Sequence, residues 1–343
     1  MDRRELIKGM AAMPLIATTI SASAPRQNKI IKPKRLMVGD TVGIIAPAGP
    51  ATSEAFEKAL LNIASLGFKA KIGASARGKF GFLSAPDKAR LADLHWAFSD
   101  PEIKAVWCIR GGAGAPRLLP DVNFSLIAKN PKIFIGFSDI TALHIAISQN
   151  TGLVTFHGPV ATSEYSEFTR KNVLNVLTNA SLLNKIEVSE FNKAKESALF
   201  RTVELVKGKC RGRLVGGNLS LLAALAGTPW ALHDIRGKIL FIEELNEAPY
   251  RVDRLLTQLR QSLDLRSVAG IALGVFEDNN QEHARDAKPV IDVIRDRLGD
   301  LGVPLIYGLS FGHIRDNITV PYGIDAELDT SAATLTLLES AVS

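Results

Sequence analysis

The chain is poor in cysteine, in aromatic residues and in long apolar segments. Its 343 residues include only Cys108 and Cys210, too few for a disulfide framework and without the CxxC spacing typical of a zinc site. Aromatic residues make up 6% of the chain, which leaves little material for a surface that stacks nucleic-acid bases. The N-terminal apolar stretch, residues 9–20, is too short for an ordinary transmembrane helix. We therefore expect neither a nucleic-acid partner nor a stable membrane anchor.

The excess of positive over negative charge lies at the N-terminal end of the chain. The formal net charge is +6, but residues 25–35 alone contain five basic side chains and no acidic one. From Leu36 onward, basic and acidic residues are equal in number. The body of the protein is therefore neutral, and its sequence contains no basic stripe of the kind that binds polyanions.

The N-terminal end has the composition of an export signal. The pair Arg3-Arg4 precedes the apolar stretch 9–20 and a run of small residues, an order that resembles a twin-arginine signal. We assign residues 1–35 to an export leader and a basic arm, which predicts a periplasmic or otherwise exported protein. Pro14 interrupts the apolar stretch, and the alternative is a disordered tail on a cytoplasmic protein.

The rest of the chain alternates short β-branched runs with helical segments, which is typical of an α/β fold. We predict an N-terminal parallel-sheet α/β domain over residues 36–160 and a linker over residues 161–205. A C-terminal α/β domain follows over residues 206–335, and its sheet is expected to be mixed because the chain closes with two hairpin-like strands. Ligand sites in such sheets lie at the carboxyl ends of strands, and we expect the active site between the two domains.

The segment Gly136-Phe137-Ser138-Asp139 has the form of a nucleophile elbow. An apolar strand turns at Gly-x-Ser directly into a helix, which presents the Ser138 hydroxyl at a strand end beside backbone N–H groups. Ile140 replaces the second glycine of the usual G-x-S-x-G pattern. Ser138 and Asp139 are also good helix caps, so the sequence leaves a cap and a nucleophile as alternatives.

A serine nucleophile needs a base, and the base needs an acid that orients it. His313 lies in a glycine-flanked loop after an apolar strand, where catalytic residues are common, although a loop histidine is more often simply solvated. Glu243 and Glu244 end another apolar strand and are the candidate acids, with a solvated strand end as the alternative. Glu247 is explained more simply by its place at a helix N-terminus. Ser138, Glu243 and His313 follow the chain order of the α/β-hydrolases.

A glycine-rich loop, residues 110–117, follows the strand that ends near Ile109. It lacks the lysine and serine of a Walker motif, and its spacing departs from the dinucleotide-binding pattern. We expect the backbone N–H groups of Gly112 and Asp139 to form an oxyanion hole instead. A polar loop contains Glu277, Asp278, Glu282 and His283, which are residue types found in metal sites. We interpret it as an ordinary polar loop and predict no metal.

Several segments resemble those of one known family and occur in the same order. They extend from about Lys34 to Asp329 and comprise Gly39 to Pro50, Arg110-Gly111-Gly112, Gly136 to Thr141, His157-Gly158-Pro159, Gly216 to Leu219, Glu243 to Arg254 and Gly308 to Asn317. On these segments the sequence resembles the LD-carboxypeptidases, serine peptidases that include the murein tetrapeptide carboxypeptidases.

The resemblance implies a role for each candidate residue. It gives the nucleophile, the general base, its acidic partner and the two oxyanion donors, in that order: Ser138, His313, Glu243, Gly112 and Asp139. It implies that the partner is a small muropeptide, that the terminal D-alanine is removed and that no cofactor takes part. Glu244 stays the alternative acid. An exopeptidase must also bind the free carboxylate of its substrate, and Arg110 and Arg315 are the candidates for that contact.

Two other functions are consistent with the sequence. The first is a microcin-immunity type of hydrolase, which cleaves peptidyl or acyl-sulfamoyl adenylates. A nucleotide-stacking aromatic residue in the segment 160–205 would favour it, and Tyr165, Phe168 and Phe191 lie there without a tryptophan. The second is a non-catalytic muropeptide-binding protein in which the elbow is only a helix cap. The sequence leaves the assembly open between a monomer and a homodimer.

Overall fold

The structure is a computed structural model that describes residues 29–180, 185–278 and 288–343. The export-signal prediction, and Glu282 and His283 of the polar loop, lie outside the described residues. The described strands are β1 (Thr41–Ile45), β2 (Lys69–Ile72), β3 (Ile103–Cys108), β4 (Ile133–Gly136), β5 (Thr155–His157), β6 (Lys185–Ile186), β7 (Val203–Val206), β8 (Lys209–Asn218), β9 (Ile239–Leu245), β10 (Gly270–Glu277), β11 (Leu305–Leu309), β12 (Val320–Tyr322), β13 (Asp325–Asp329) and β14 (Thr334–Leu337). The described α-helices are α1 (Ser53–Ser65), α2 (Asp87–Ser99), α3 (Phe124–Lys129), α4 (Thr141–Thr151), α5 (Glu167–Thr178), α6 (Glu190–Lys193), α7 (Leu219–Leu225), α8 (Pro249–Ser262) and α9 (Val290–Leu298).

The first sheet has the strand order β12-β5-β4-β3-β1-β2. The strands β1 to β5 pair in parallel, and β1, β3 and β4 are almost wholly buried, as expected for strands covered on both faces. The predicted N-terminal parallel-sheet domain is therefore confirmed. Its edge differs from the expectation, because β12 from the far end of the chain pairs antiparallel with β5, placing Val320 opposite His157.

The second sheet has the order β6-β14-β13-β8-β9-β10-β11-β7. The four central strands β8 to β11 pair in parallel, whereas β7 on one side and β13, β14 and β6 on the other pair antiparallel. The predicted mixed sheet of the C-terminal domain is confirmed. The central strand β9 is buried from Ile239 to Glu244, so that its polar carboxyl end is enclosed within the protein.

The segment predicted as a linker, residues 161–205, is largely built into the fold. It contains α5, whose first turn is capped by Ser166 through a hydrogen bond from the Thr169 N–H at 3.2 Å. Farther along, β6 pairs with β14 and β7 pairs with β11. The two edge strands of the second sheet, β6 and β7, therefore come from this segment, β7 ending one residue beyond it.

The described part of the basic arm lies against the body of the protein. Ile31 forms a parallel bridge with Leu153, and Lys32 Nζ lies 2.7 Å from Glu339 Oε2. The last residue, Ser343, forms backbone hydrogen bonds with Pro33 and Arg35. The two ends of the described chain therefore meet. Across the residues that the structure describes, no helix is long and apolar enough to cross a membrane.

Candidate active site

Ser138 lies at a strained turn between β4 and α4. Its φ is 64°, in the left-handed region that a non-glycine residue adopts at a cost of about 1–3 kcal/mol. A short 3-10 turn from Ser138 to Ile140 leads into α4, and among the described residues no side chain caps the start of that helix. The conformation is therefore that of a nucleophile elbow, and the capping alternative has no hydrogen bond to support it.

The glycine-rich loop lies directly against this turn. A Cβ added to Gly111 would lie 2.9 Å from Ser138 Cβ and 3.1 Å from its Oγ, so the close approach requires glycine. Asp139 Oδ2 accepts a hydrogen bond from the Ala115 N–H at 2.7 Å, which ties the elbow to the loop that contains Gly112. Burial raises the pKa of the Asp139 carboxyl to about 6. The two predicted oxyanion residues thus stand in adjoining segments.

A buried arginine that the sequence analysis missed supports the same loop. The side chain of Arg90 on α2 is fully buried, and its guanidinium donates hydrogen bonds to the carbonyl oxygens of Pro47 and Gly114. Arginine is rarely buried without such partners. The available signal was its spacing, because Arg90 lies four residues before the buried Leu94 and therefore on the apolar face of the helix.

His313, which is partly buried, and the fully buried Glu243 form a charge pair at the carboxyl ends of strands in the second sheet. His313 Nδ1 lies 2.7 Å from Glu243 Oε2, and the glutamate side chain has no exposed surface. Burial alone would raise the pKa of Glu243, but His313, with smaller contributions from His157 and Asn218, outweighs it and the pKa is lowered. Burial likewise favours the neutral form of His313, yet Glu243, with smaller contributions from Glu244 and Glu277, outweighs it and raises the pKa of the ring. Each partner therefore stabilises the charged form of the other.

The neighbouring carboxylate, Glu244, has a different set of partners. Its Oε2 accepts hydrogen bonds from the N–H and the hydroxyl of Ser220, both at 2.7 Å. Its Oε1 accepts from the Leu245 N–H at 2.8 Å and from Asn218 Nδ2 at 3.1 Å. These contacts hold Glu244 at the start of α7. Between the two candidate acids, the geometry pairs only Glu243 with the histidine.

The two halves of the site meet at the contact between the domains. The ring of Phe137, the residue before the serine, has its centroid 4.6 Å from that of His313. Close by, the Asn218 N–H donates to Thr141 Oγ1 at 3.0 Å. A Cβ on Gly217 would lie within 2.6 Å of both Thr141 side-chain branches, so the second sheet packs tightly on the start of α4. The residue before Ser138 thus contacts His313 at the junction between the domains, where the sequence analysis expected the site.

The two candidate arginines have different surroundings. Arg110 Nη1 donates to the carbonyl oxygen of Pro50 at 3.0 Å. Arg315 Nε donates to Glu164 Oε1 at 2.8 Å, and its guanidinium carbon lies 4.2 Å from the centroid of the Phe191 ring. Arg315 is thus already engaged with an anion and an aromatic face, whereas Arg110 contacts a neutral carbonyl.

The polar group considered as a metal site is only partly described. Glu277 ends β10, its carbonyl oxygen accepts from the Asn246 N–H at 2.8 Å, and partial burial raises the pKa of its carboxyl group. Within residues 29–180, 185–278 and 288–343, no group of three or more histidine, cysteine, aspartate or glutamate side chains is arranged to hold a metal ion.

Comparison with known proteins agrees with this architecture over both domains. The LD-carboxypeptidase N-terminal domain matches residues 42–158, and the LD-carboxypeptidase C-terminal domain matches residues 211–328. The Bacillus subtilis (strain 168) protein named "Probable murein peptide carboxypeptidase" is 43% identical over 312 residues, which cover 91% of this chain and 95% of that protein.

Two solved structures show the same fold. The muramoyltetrapeptide carboxypeptidase from Oxalobacter formigenes has a TM-score of 0.74 at 31% identity and covers 87% of this chain and 97% of its own. The microcin C7 self-immunity protein MccF, known from Escherichia coli, has a TM-score of 0.81 at 27% identity and covers 91% of this chain and 99% of its own.

The fold and these matches define a serine carboxypeptidase. More particularly, the chain belongs to the LD-carboxypeptidase family, because both domains of that family match and together span more than half of the sequence.

Proposed function

We propose that the protein removes the terminal D-alanine from murein tetrapeptides during peptidoglycan turnover or recycling, with Ser138, His313 and Glu243 as a catalytic triad. The observation that carries the proposal is a strained serine elbow whose preceding residue, Phe137, contacts the ring of His313, which is itself paired with Glu243. The relatives support the substrate class, since a Pseudomonas aeruginosa relative with 33% identity is named "Murein tetrapeptide carboxypeptidase".

The proposed reaction begins with His313 as general base. The ring takes the hydroxyl proton of Ser138 as the oxygen attacks the carbonyl between the L-centre of the diamino acid and D-alanine. The N–H groups of Gly112 and Asp139 stabilise the negative charge that develops on the carbonyl oxygen. His313 then gives the proton to the leaving amine of D-alanine. Water, activated by the same ring, hydrolyses the acyl-enzyme and frees Ser138.

Glu243 makes His313 a suitable base. A carboxylate on Nδ1 fixes the tautomer whose Nε2 is unprotonated and stabilises the imidazolium that forms during attack. The lowered pKa of Glu243 keeps it ionised through the working range of pH. Because the pKa of His313 is raised, the neutral ring needed for attack is formed at a higher pH than for an isolated histidine.

Arg110 is the stronger candidate for the terminal carboxylate of the substrate. It is the first residue of the glycine-rich loop, two positions before Gly112, and has no anionic partner among its described contacts, whereas Arg315 is paired with Glu164. A bidentate contact from Arg110 would raise affinity for a free carboxylate. Arg110→Ala should therefore raise KM more than Arg315→Ala, and wild-type KM in both variants would contradict a role for either arginine.

The adenylate-hydrolase alternative rests on the likeness to MccF. Such a hydrolase would need an aromatic residue free to stack on the nucleotide, and the three candidates in segment 160–205 already have other contacts. Tyr165 bonds through its hydroxyl to the backbone at Pro159, and Phe168 packs against the core. The third aromatic residue, Phe191, is covered by the guanidinium of Arg315. We therefore place muropeptides ahead of nucleotides, and peptidyl adenylate serves as the comparison substrate.

The test is the release of D-alanine from purified murein tetrapeptide by the full chain. Wild type should release D-alanine without loss in EDTA, and Ser138→Ala should be at least about 10⁴-fold slower. Equal release by Ser138→Ala would exclude the serine mechanism. Binding of tetrapeptide without any release would favour a muropeptide-binding protein, and faster cleavage of peptidyl adenylate would favour the alternative hydrolase.

The protein is proposed to be exported through the twin-arginine route. The motif that supports it lies in residues 1–28, outside the described part of the chain. Changing Arg3 and Arg4 to lysine in a tagged full-length protein should retain it in the cytoplasm. Unchanged localisation in that variant would favour the cytoplasmic alternative.

A further inference from the structure

The last residue of β5, His157, faces the carboxylate of the proposed triad from the opposite domain. His157 Nε2 lies 3.8 Å from Glu243 Oε1, and the two side chains are 1% and 0% exposed. The histidine belongs to the first sheet and the glutamate to the second, so this contact crosses the domain junction. Nothing in the proposed proton transfers uses His157.

The hydrogen-bond partners of Glu243 are asymmetric. Its Oε2 is bonded to His313, whereas its Oε1 has no partner within hydrogen-bond distance among the described residues. The Asn218 amide also lowers the pKa of this carboxyl group, but its hydrogen bond goes to Glu244 Oε1. Both ring nitrogens of His157 are buried and likewise have no hydrogen-bond partner among the described residues. A buried polar atom without a partner costs about 1–3 kcal/mol. The two unsatisfied groups face each other, and a shift of less than about 1 Å in either side chain brings them within hydrogen-bond distance.

Burial determines the charge state of His157. It lowers the pKa of the ring to about 4, despite the opposing effect of Glu243. A neutral imidazole carries a single N–H, and the Nε2–H tautomer directs that donor at Glu243 Oε1. His157 therefore supplies a donor without a positive charge that would compete with His313 for the carboxylate. The other charged groups that act on His313 are Glu244 and Glu277.

Aromatic rings hold His157 in place. Phe137 and Phe241 pack against it in T-shaped arrangements, with ring centroids at 6.0 Å and 5.3 Å and interplanar angles of 71° in both cases. Phe137 also contacts His313, so one ring touches both histidines on either side of Glu243. This packing limits His157 to small movements and suits it to hold a neighbouring group.

We propose that His157 is a positioning residue that holds Oε1 of Glu243, so that Oε2 stays on Nδ1 of His313. It acts through Glu243 and does not touch the substrate. The proposal rests on the triad proposed above, but it makes a statement about His313 that needs no substrate to test. It predicts that the pKa of His313 in the enzyme without substrate depends on His157.

The test is an NMR titration of the His313 ring in the full chain, with its signals assigned from a His313→Asn variant. His157→Met keeps similar length without a donor, and His157→Gln restores an N–H. In His157→Met the carboxylate can turn away from Nδ1, so the pKa of His313 should fall toward its ordinary value; His157→Gln should return it most of the way. Thr155→Val is the matched control, because Thr155 is buried on the same strand with an unpartnered hydroxyl and should leave the titration unchanged.

A kinetic cycle gives the second readout. His157→Met should lower kcat by roughly 10- to 100-fold with little change in KM, by analogy with residues that orient the ligands of metal sites. In a Glu243→Gln background the same change should add almost nothing, since its effect passes through Glu243. An unchanged or raised pKa of His313, or an equal loss of kcat in both backgrounds, would overturn the proposal. Full activity in Ser138→Ala would instead exclude the proposed catalytic triad, and the effect of His157 on the pKa of His313 would remain a valid result.

Discussion

The two halves of the site are held by different forces. On the first domain, Ser138 is fixed by backbone geometry, a positive φ and the glycine at position 111 against it. On the second domain, His313 and Glu243 are fixed by charge within a buried environment. Steric constraint does not depend on pH, whereas a charge pair changes with the protonation of either member. The serine half should therefore respond to changes of shape and the histidine half to changes of charge.

Among variants that keep the serine nucleophile, the largest expected effect comes from removing the negative charge beside His313. Glu243→Gln keeps the shape of the side chain but offers His313 Nδ1 no anion. We expect kcat/KM to fall by about 10³- to 10⁴-fold, as is typical for loss of the triad acid. The acid limb of the pH profile should also move to lower pH, because the pKa of His313 is raised chiefly by this carboxylate acting against burial. D-alanine release measured from pH 5 to 9 tests both effects.

Glu244→Gln is the matched control for that experiment. The residue is adjacent and buried, but its contacts lie at the start of α7. We expect a loss of stability of about 1–3 kcal/mol, from weaker bonds to a buried acceptor, and a much smaller shift of the acid limb. If Glu244→Gln lost more activity than Glu243→Gln, the roles of the two carboxylates would be reversed.

The serine half should respond to a single methyl group. Gly111→Ala places a Cβ 2.9 Å from Ser138 Cβ, and the serine must shift to accommodate it. A displacement of about 1 Å at a nucleophile costs roughly 10²-fold in rate, and we expect that loss in kcat at every pH. Gly43→Ala is the control, since its Cβ would lie equally close to Ile103 Cδ1 in the core. It should lose stability and keep activity, and a moved acid limb in Gly111→Ala would contradict the division between shape and charge.

The sequence analysis could locate residues that lie at the ends of apolar strands. Ser138 and His313 follow such strands and Glu243 lies near the end of another, and strand ends are where ligands bind in α/β sheets. It could not find the partners of buried polar groups, because those depend on contacts between distant segments. The pairing of β12 with β5, the burial of Arg90 and the approach of His157 to Glu243 all arise from packing between elements far apart in the chain.

Asp139 is an ionisable residue next to Ser138, and we expect it to make the stability of the protein depend on pH to a smaller extent. Its carboxyl group has a pKa of about 6 in the folded protein, above the ordinary value, so the folded state binds more protons than the unfolded chain between about pH 4 and 6. Wild-type stability should fall as pH rises through that window. Asp139→Asn keeps an oxygen for the Ala115 N–H and should lack this fall, becoming relatively more stable by roughly 1–3 kcal/mol near pH 7. Thermal unfolding from pH 4 to 7 measures it, and parallel curves for the two proteins would contradict a buried ionisable carboxyl group.

The smallest effect isolates the strain at the serine from its chemistry. Ser138→Gly and Ser138→Ala both remove the hydroxyl and should both be inactive. Only glycine adopts a φ of 64° without steric cost, so Ser138→Gly should be the more stable of the two by about 1 kcal/mol. Chemical denaturation of the two inactive proteins makes the comparison independent of activity. Equal stability would mean that the surrounding structure relaxes the turn, and the rigidity of the serine half would then come from its packing against the glycine-rich loop and not from the backbone angle itself.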